Sequence, residues 1–259
     1  MNTQRSVNPD APFLIYYAPG SAHSPHQAPP EWIARFKGRF DQGWDKVRDE
    51  SFARQKKSGV IPANAALTPR PAAIPAWNSL SSDAKRVEAY MMELYAAQLA
   101  FADEQIGRVI QAVKDNGDFD NTLIIYIQGD NGASMEGGPI GTMDEIARGK
   151  NAMPDTLQDQ RAKIGDFGTR HSWNNYGIGW AWAMNTPFQW GKAIASHLGG
   201  VRNGMVVSWP KKLQKTGQVR TQFTHVTNIA PTLYEAAGIA LPDSVDGVKQ
   251  VALAGTSLA

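Results

Sequence analysis

Apolar residues fall into three short runs and one long periodic stretch, and those patterns predict the elements. Residues 12 to 18, PFLIYYA, form an apolar run of β-favouring residues bounded by Pro12 and by Pro19-Gly20, which predicts a buried strand. From Glu31 to about Lys57 the chain is charged with spaced aromatics, the pattern of surface helices packed by one face. Residues 58 to 80, interrupted by Pro62, Pro69, Pro71 and Pro75, read as a meandering loop. Ser81 and Ser82 then offer N-caps to a long helix, in which Met91, Tyr95, Leu99, Ala102, Ile106, Ile110 and Val113 recur every three or four residues until Asn116-Gly117.

Thr122 to Ile127 is a second apolar run, and the order helix, short loop, strand predicts an α/β unit with a parallel or mixed sheet. From roughly 129 to 200 the chain is rich in Gly, Asn, Met and Trp. An irregular stretch of that length is functional or holds short elements that periodicity does not resolve. Met205 to Trp209 predicts a third strand closed by Pro210, and Lys211 to Arg220 a solvated basic turn region. Thr227, Pro231 and Gly238 frame a helix as N-cap, early-turn proline and terminal glycine. The final residues, from Leu241, settle into no element by pattern, so 239–259 is left as an uncertain edge.

Composition narrows the function. At 42% apolar and 19% charged residues, the 259-residue chain is too apolar for disorder and long enough for a large α/β core. Twenty-six basic against 24 acidic residues leave a formal charge of +2 with no Lys/Arg block, which argues against a nucleic-acid partner. No apolar run reaches the length of a membrane span, so no membrane partner is expected. The start MNTQRSVNPD lacks a basic-then-apolar signal pattern, so the compartment stays open. The absence of cysteine removes disulfides, thiolate metal sites and a cysteine nucleophile together.

Three groups could carry chemistry. Gly129-Asp130-Asn131-Gly132 follows the second run at once, where α/β sheets bind ligands. Asp130 and Asn131 offer hard oxygens suited to calcium or magnesium, although the same residues form ordinary turns. His23 and His26 lie on the proline-stiffened loop after residues 12 to 18, placed as a general acid or anion contacts, or simply exposed. Lys192 and His197 precede Gly199-Gly200, where a point charge and close backbone approach suit an oxyanion, and an amphipathic helix ending at glycine is the plainer reading. Trp173, Trp180, Trp182 and Trp190 either line an apolar pocket or pack the core.

In this order the motifs resemble the sulfatase family of the alkaline-phosphatase-like superfamily, over about residues 12–238. The likeness is closest to the arylsulfatase branch, through FDQGWDKVRDESFARQKKSGVIP, DNTLIIYIQGDNGAS, GWAWAMNTPFQW and ASHLGGVRNGMVVSWP. The resemblance implies an α/β fold with a mixed sheet flanked by helices, and a small-molecule sulfate ester as substrate. It also implies a divalent cation, usually Ca2+ with Mg2+ as the alternative, and a formylglycine nucleophile made within Cys/Ser-x-Pro-x-Arg. By the same resemblance, Asp130 and Asn131 match metal ligands, His23 the histidine that contacts sulfate and assists the leaving oxygen, and Lys192 the sulfate-binding lysine. Lys192 stands seven residues before Gly199 where many relatives show six. His26 and His197 are second-tier candidates without an assigned role.

No Cys/Ser-x-Pro-x-Arg occurs in the sequence. The expectation is therefore that residues 1–259 are a carboxyl-terminal portion of a sulfatase catalytic domain, incomplete at its amino-terminal side. Its partner would be the missing part of that domain, its parent periplasmic or secreted, and the chain alone would be inactive. The competing readings are a phosphodiesterase or phosphonate hydrolase of the same superfamily, and a non-catalytic chain that binds an anion or a partner.

Overall fold

The computed structural model describes residues 2–213 and 217–259. Its longest element confirms the clearest periodicity. After the short helices α1 (Asn2–Val7), α2 (Pro30–Ala34) and α3 (Gly43–Lys57), helix α4 runs over Ser82–Asp115. The Ser81 hydroxyl accepts the Ala84 N–H at 3.2 Å, the bond an N-cap serine makes. Gly117, at φ +78°, ends the helix by donating its N–H to the Lys114 carbonyl. The spacing of apolar residues puts Val87, Met91 and Leu94 on one face of α4, and all three are buried.

The irregular stretch after residue 128 holds four short helices, α5 (Glu145–Asn151), α6 (Leu157–Ala162), α7 (Ile178–Met184) and α8 (Leu198–Val201). Asp144 caps α5 through the N–H groups of Ile146 and Ala147, and Thr156 and Asp159 form a reciprocal capping box on α6. Helix α7 is apolar all round because it is a core helix. Its Trp180 meets Trp44 and Trp77 edge to face at 5.7 and 5.5 Å, and those two meet at 4.8 Å. Trp180 and Trp182 are thus packing residues, whereas Trp173 and Trp190 are exposed, so the four tryptophans do not line one pocket.

These elements, apart from the last turn of α4, belong to one unit, residues up to Ala112 with Gln128–Gly204; Val113–Ile127 and Met205–Ala259 make a second. In the second unit β1 (Ile124–Ile127) pairs with β2 (Met205–Ser208), with Ile124 opposite Ser208 and Ile127 opposite Met205. Both strands lie where the sequence puts them, but the ladder is antiparallel, where helix-then-strand order predicts a parallel or mixed sheet. Local pattern fixes a strand and leaves its partner's direction open. Helix α9 (Ile229–Ala237) ends at Gly238, φ +66°, as expected. Its N-cap is Asn228 and not Thr227, because the His225 ring caps a preceding turn at Val226–Asn228.

Two further expectations are corrected. Residues 12 to 18 are no strand: Leu14 is 78% and Tyr16 91% exposed, and the run joins no sheet. β-propensity measures fit to a pleated, partly buried surface, and here the run has no ladder to join. The segment beyond 239 does form structure. A two-residue hairpin pairs β3 (Ser244–Val245) with β4 (Val248–Lys249) around Asp246 and Gly247, both at positive φ. No helix among the described residues is long and apolar enough to cross a membrane.

Candidate functional site

Two glycine-rich loops of the first unit lie backbone to backbone, and their contact builds the site. The Gly132 N–H donates to the Gly200 carbonyl at 3.1 Å, and the Lys192 N–H to the Ala133 carbonyl at 3.0 Å. A Cβ on Gly132 would lie 1.7 Å from the Gly199 carbonyl oxygen, so only glycine permits this approach. The loop that begins at Gly129-Asp130 is thereby joined to the one carrying Lys192.

Lys192 reaches two groups from there. Its Nζ donates to Glu136 Oε2 at 2.7 Å and lies 3.4 Å from His23 Nε2, across 169 residues of sequence. The other ring nitrogen of His23, Nδ1, is 2.9 Å from the Ser24 carbonyl, which orients the imidazole with Nε2 toward the lysine. The Gln98 side chain on α4 holds the histidine loop from behind by donating to the Pro25 carbonyl at 3.0 Å.

A hydrogen-bonded ring closes around this pair. Ser134 Oγ donates to Glu136 Oε2 at 3.0 Å, and Asn175 Nδ2 lies 3.2 Å from Ser134 Oγ and 2.7 Å from Glu145 Oε2. Glu145 also accepts from the Ser24 hydroxyl, next to His23. Beneath the ring, the buried Tyr176 hydroxyl accepts the Ser134 N–H at 3.1 Å. Partial burial alone would raise the Glu136 carboxyl, but hydrogen bonds from Lys192 and Ser134, with the charges of Lys192 and His23, hold it below its ordinary range.

The sequence-predicted residues fall into distinct places. His23 and Lys192 meet. Asp130 and Asn131 sit together, Asn131 Nδ2 donating to Asp130 Oδ1 at 2.9 Å, while the Asn203 side-chain amide binds the Asn131 backbone N–H and carbonyl. His26 lies under the site, 1% exposed, stacked on Tyr176 at 5.1 Å and edge-on to Tyr95. Burial pushes its imidazole down to about 3, nearby His23 adds to the fall, and the Ala22 backbone opposes it. A neutral ring of that kind packs and does not exchange protons near neutral pH. His197 bonds the neighbouring Ser196 hydroxyl at 3.0 Å and meets the Trp190 ring edge-on. It opens α8, with Gly199 and Gly200 inside that turn and not at the end of a longer helix.

Glu136 and Glu145 are the residues that sequence reasoning misses. Glu136 stands six residues beyond Asp130 in the same loop, and only the fold reveals its contact with Lys192. Among the described residues, His23, Glu136 and Glu145 bring ligand atoms within 4.8 Å of one another, a geometry open to a metal ion. The Lys192 ammonium already bonds Glu136 beside His23, so a cation occupies that position in the fold. Asp130 and Asn131 also carry side-chain oxygens of the kind a hard divalent cation takes, and one of them, Asp130 Oδ1, already accepts from Asn131 Nδ2.

A family model described as Sulfatase matches residues 2–239. An arylsulfatase of Klebsiella aerogenes is 31% identical over 240 residues, covering 92% of this chain and 49% of that protein. An uncharacterized sulfatase of Schizosaccharomyces pombe is also 31% identical, over 233 residues, covering 89% of this chain and 40% of its own length. The chain thus spans about half the length, or less, of these curated relatives.

Proposed function

The chain belongs to the sulfatase family, and from that premise we propose that residues around His23 and Lys192 form the anion-binding and proton-donating part of a site for sulfate ester hydrolysis. The family carries an alkaline-phosphatase-like α/β fold, and sulfate ester hydrolysis is its activity. The observation that carries the reading is the convergence of Lys192 Nζ and His23 Nε2 at 3.4 Å from opposite ends of the unit's sequence.

The chemistry follows from charge. A sulfate ester spreads negative charge over its nonbridging oxygens and gathers more on the leaving oxygen as the S–O bond breaks. Lys192 binds a nonbridging oxygen as a point charge and three-donor head. His23, held at Nδ1 by the Ser24 carbonyl, uses Nε2 as the atom that gives a proton to the leaving oxygen. Asp130 and Asn131 would hold Ca2+, or Mg2+, which supplies electrostatic stabilisation of the developing charge. The formylglycine of the family has no precursor motif in this sequence, so we assign no nucleophile to the chain. The partner is a small sulfate ester, with neither nucleic acid nor membrane.

The test is binding. Purified chain titrated with inorganic sulfate and with 4-nitrophenyl sulfate, followed by NMR shifts of the His23 ring, is expected to bind both. Lys192→Ala should weaken both by about tenfold or more, the worth of a charge-assisted hydrogen bond. Equal affinity in the variant would remove Lys192 from the site. The second reading is a phosphodiesterase or phosphonate hydrolase of the same superfamily, whose two ions would lie about 3.5–4 Å apart. Two bound metal ions per chain would favour it, and one ion the sulfatase reading.

A further inference from the structure

Resting on that reading, we infer that Glu136 is an intramolecular stand-in for the sulfate group: its carboxylate occupies the anion position at Lys192 until a substrate displaces it. Three observations converge. Glu136 Oε2 accepts from Lys192 Nζ at 2.7 Å, the length of a charge-assisted bond, and an oxyanion bound by Lys192 needs that same contact. His23 Nε2 lies 3.4 Å from the same ammonium, and ligand atoms of His23 and Glu136 lie within 4.8 Å of each other, so an anion seated there is close to the imidazole as the carboxylate now is. Glu136 is 45% exposed and Lys192 25%, so the carboxylate can swing into solvent on a flexible stem while the lysine stays half-held.

The hydrogen bonds support an exchange over a fixed structural bond. Besides Lys192, Glu136 Oε2 is bonded by the Ser134 hydroxyl, two residues away on its own loop. That serine is itself anchored by Asn175, and its N–H by Tyr176, so it stays in place when the carboxylate leaves. The lysine loop is held independently by backbone bonds at Ala133 and Gly200. Displacement therefore breaks one partly exposed ion pair and the Ser134 hydroxyl bond to the same oxygen, and no bond between backbone groups. An exposed pair of this kind contributes little to stability, which makes it suited to exchange with an incoming anion.

The consequence is selectivity by charge and fast return. A neutral ester gains nothing at Lys192 because Glu136 already satisfies it, whereas a sulfate group competes for the ammonium with more oxygens. After hydrolysis the carboxylate can reclaim Lys192 and assist release of the sulfate ion.

The test compares sulfate binding by wild type, Glu136→Gln, Glu136→Asp and Lys192→Ala, with thermal unfolding to verify that each variant folds. Removing the competing charge in Glu136→Gln is expected to tighten sulfate binding by about tenfold, the scale of a like charge removed a few ångströms away in a partly exposed site. Glu136→Asp keeps the charge and should bind within about twofold of wild type, so the two substitutions together separate loss of the charge from change of the side chain. Equal or weaker binding by Glu136→Gln, with Lys192→Ala still losing affinity, overturns the stand-in and leaves the sulfate site intact. Failure of every form to bind sulfate overturns both.

Discussion

Glu88 and Arg48 show how single buried charges are managed around the site. Glu88 lies in α4 with one carboxylate oxygen receiving the Gly177 N–H at 3.3 Å and the other unpartnered. Burial raises its carboxyl to about 8 against the opposing Gly177 bond, so it stays protonated at neutral pH. Between its ordinary value of 4.5 and about 8, the unfolded chain has released this proton and the folded chain has not. Stability from this group is therefore fully present below the lower value and falls as pH rises to the upper. Glu88→Gln should flatten that slope: thermal unfolding at about pH 5 should change little, while at about pH 9 the variant should melt higher than wild type. An unchanged gap between the two pH values would mean Glu88 ionises normally in the fold. Arg48, also fully buried, donates to the Trp182, Pro187 and Phe188 carbonyls at 2.7, 3.1 and 3.2 Å and lies over the Trp182 ring. It thereby fixes the turn that leads from α7 toward Trp190 and Lys192.

Elements decide whether that turn delivers Lys192 to His23. The loops at 129–135 and 189–200 approach through glycine: Gly132 against Gly199, and Gly199 against the Gln189 carbonyl, where an added Cβ would lie at 2.2 Å. Gly132→Ala should force the loops apart, costing about 1–3 kcal/mol in denaturant unfolding and weakening sulfate binding together with stability. Retained affinity would show that Lys192 does not depend on this contact. Gly107 in α4 is the contrasting case, because an added Cβ meets nothing within 4 Å. Gly107→Ala should stabilise the chain by up to about 1 kcal/mol without altering sulfate affinity, since it only restores helix propensity. The sequence places Gly107 inside a periodic helix and Gly132 in a turn motif, and the contact with Gly199 is what makes Gly132 indispensable.

For the whole molecule, the family match over residues 2–239 and the span of about half its relatives' length set the expectation for activity. The chain contains no cysteine and no Ser-x-Pro-x-Arg, the motif in which the resemblance places a formylglycine. Purified chain is expected to release no nitrophenol from 4-nitrophenyl sulfate while still binding sulfate. Turnover that persists in Lys192→Ala would trace to a contaminant, and turnover that this substitution abolishes would overturn the expectation. Two units divide the architecture, and every residue of the proposed site lies in the first, which holds the tryptophan-centred core.

What the sequence by itself determined is whatever depends on neighbours within a few turns of chain. The periodicity from Met91 to Val113 and the cap at Ser81 define α4; the apolar runs define β1 and β2; and Gly238 marks the end of α9. The motifs also single out His23 and Lys192, each separately and through resemblance to a family, and their meeting at 3.4 Å belongs to the fold. Tertiary structure alone decided what depends on distant partners. Residues 12 to 18 have the composition of a strand but no ladder, and β1 and β2 run antiparallel although helix-then-strand order points elsewhere. Glu136 carries no signal in its own neighbourhood, and it matters only because the fold brings Lys192 to it from 56 positions away. Local periodicity reports which face of an element is buried. It carries no information about which other segment covers that face, and the site is made of such long-range meetings.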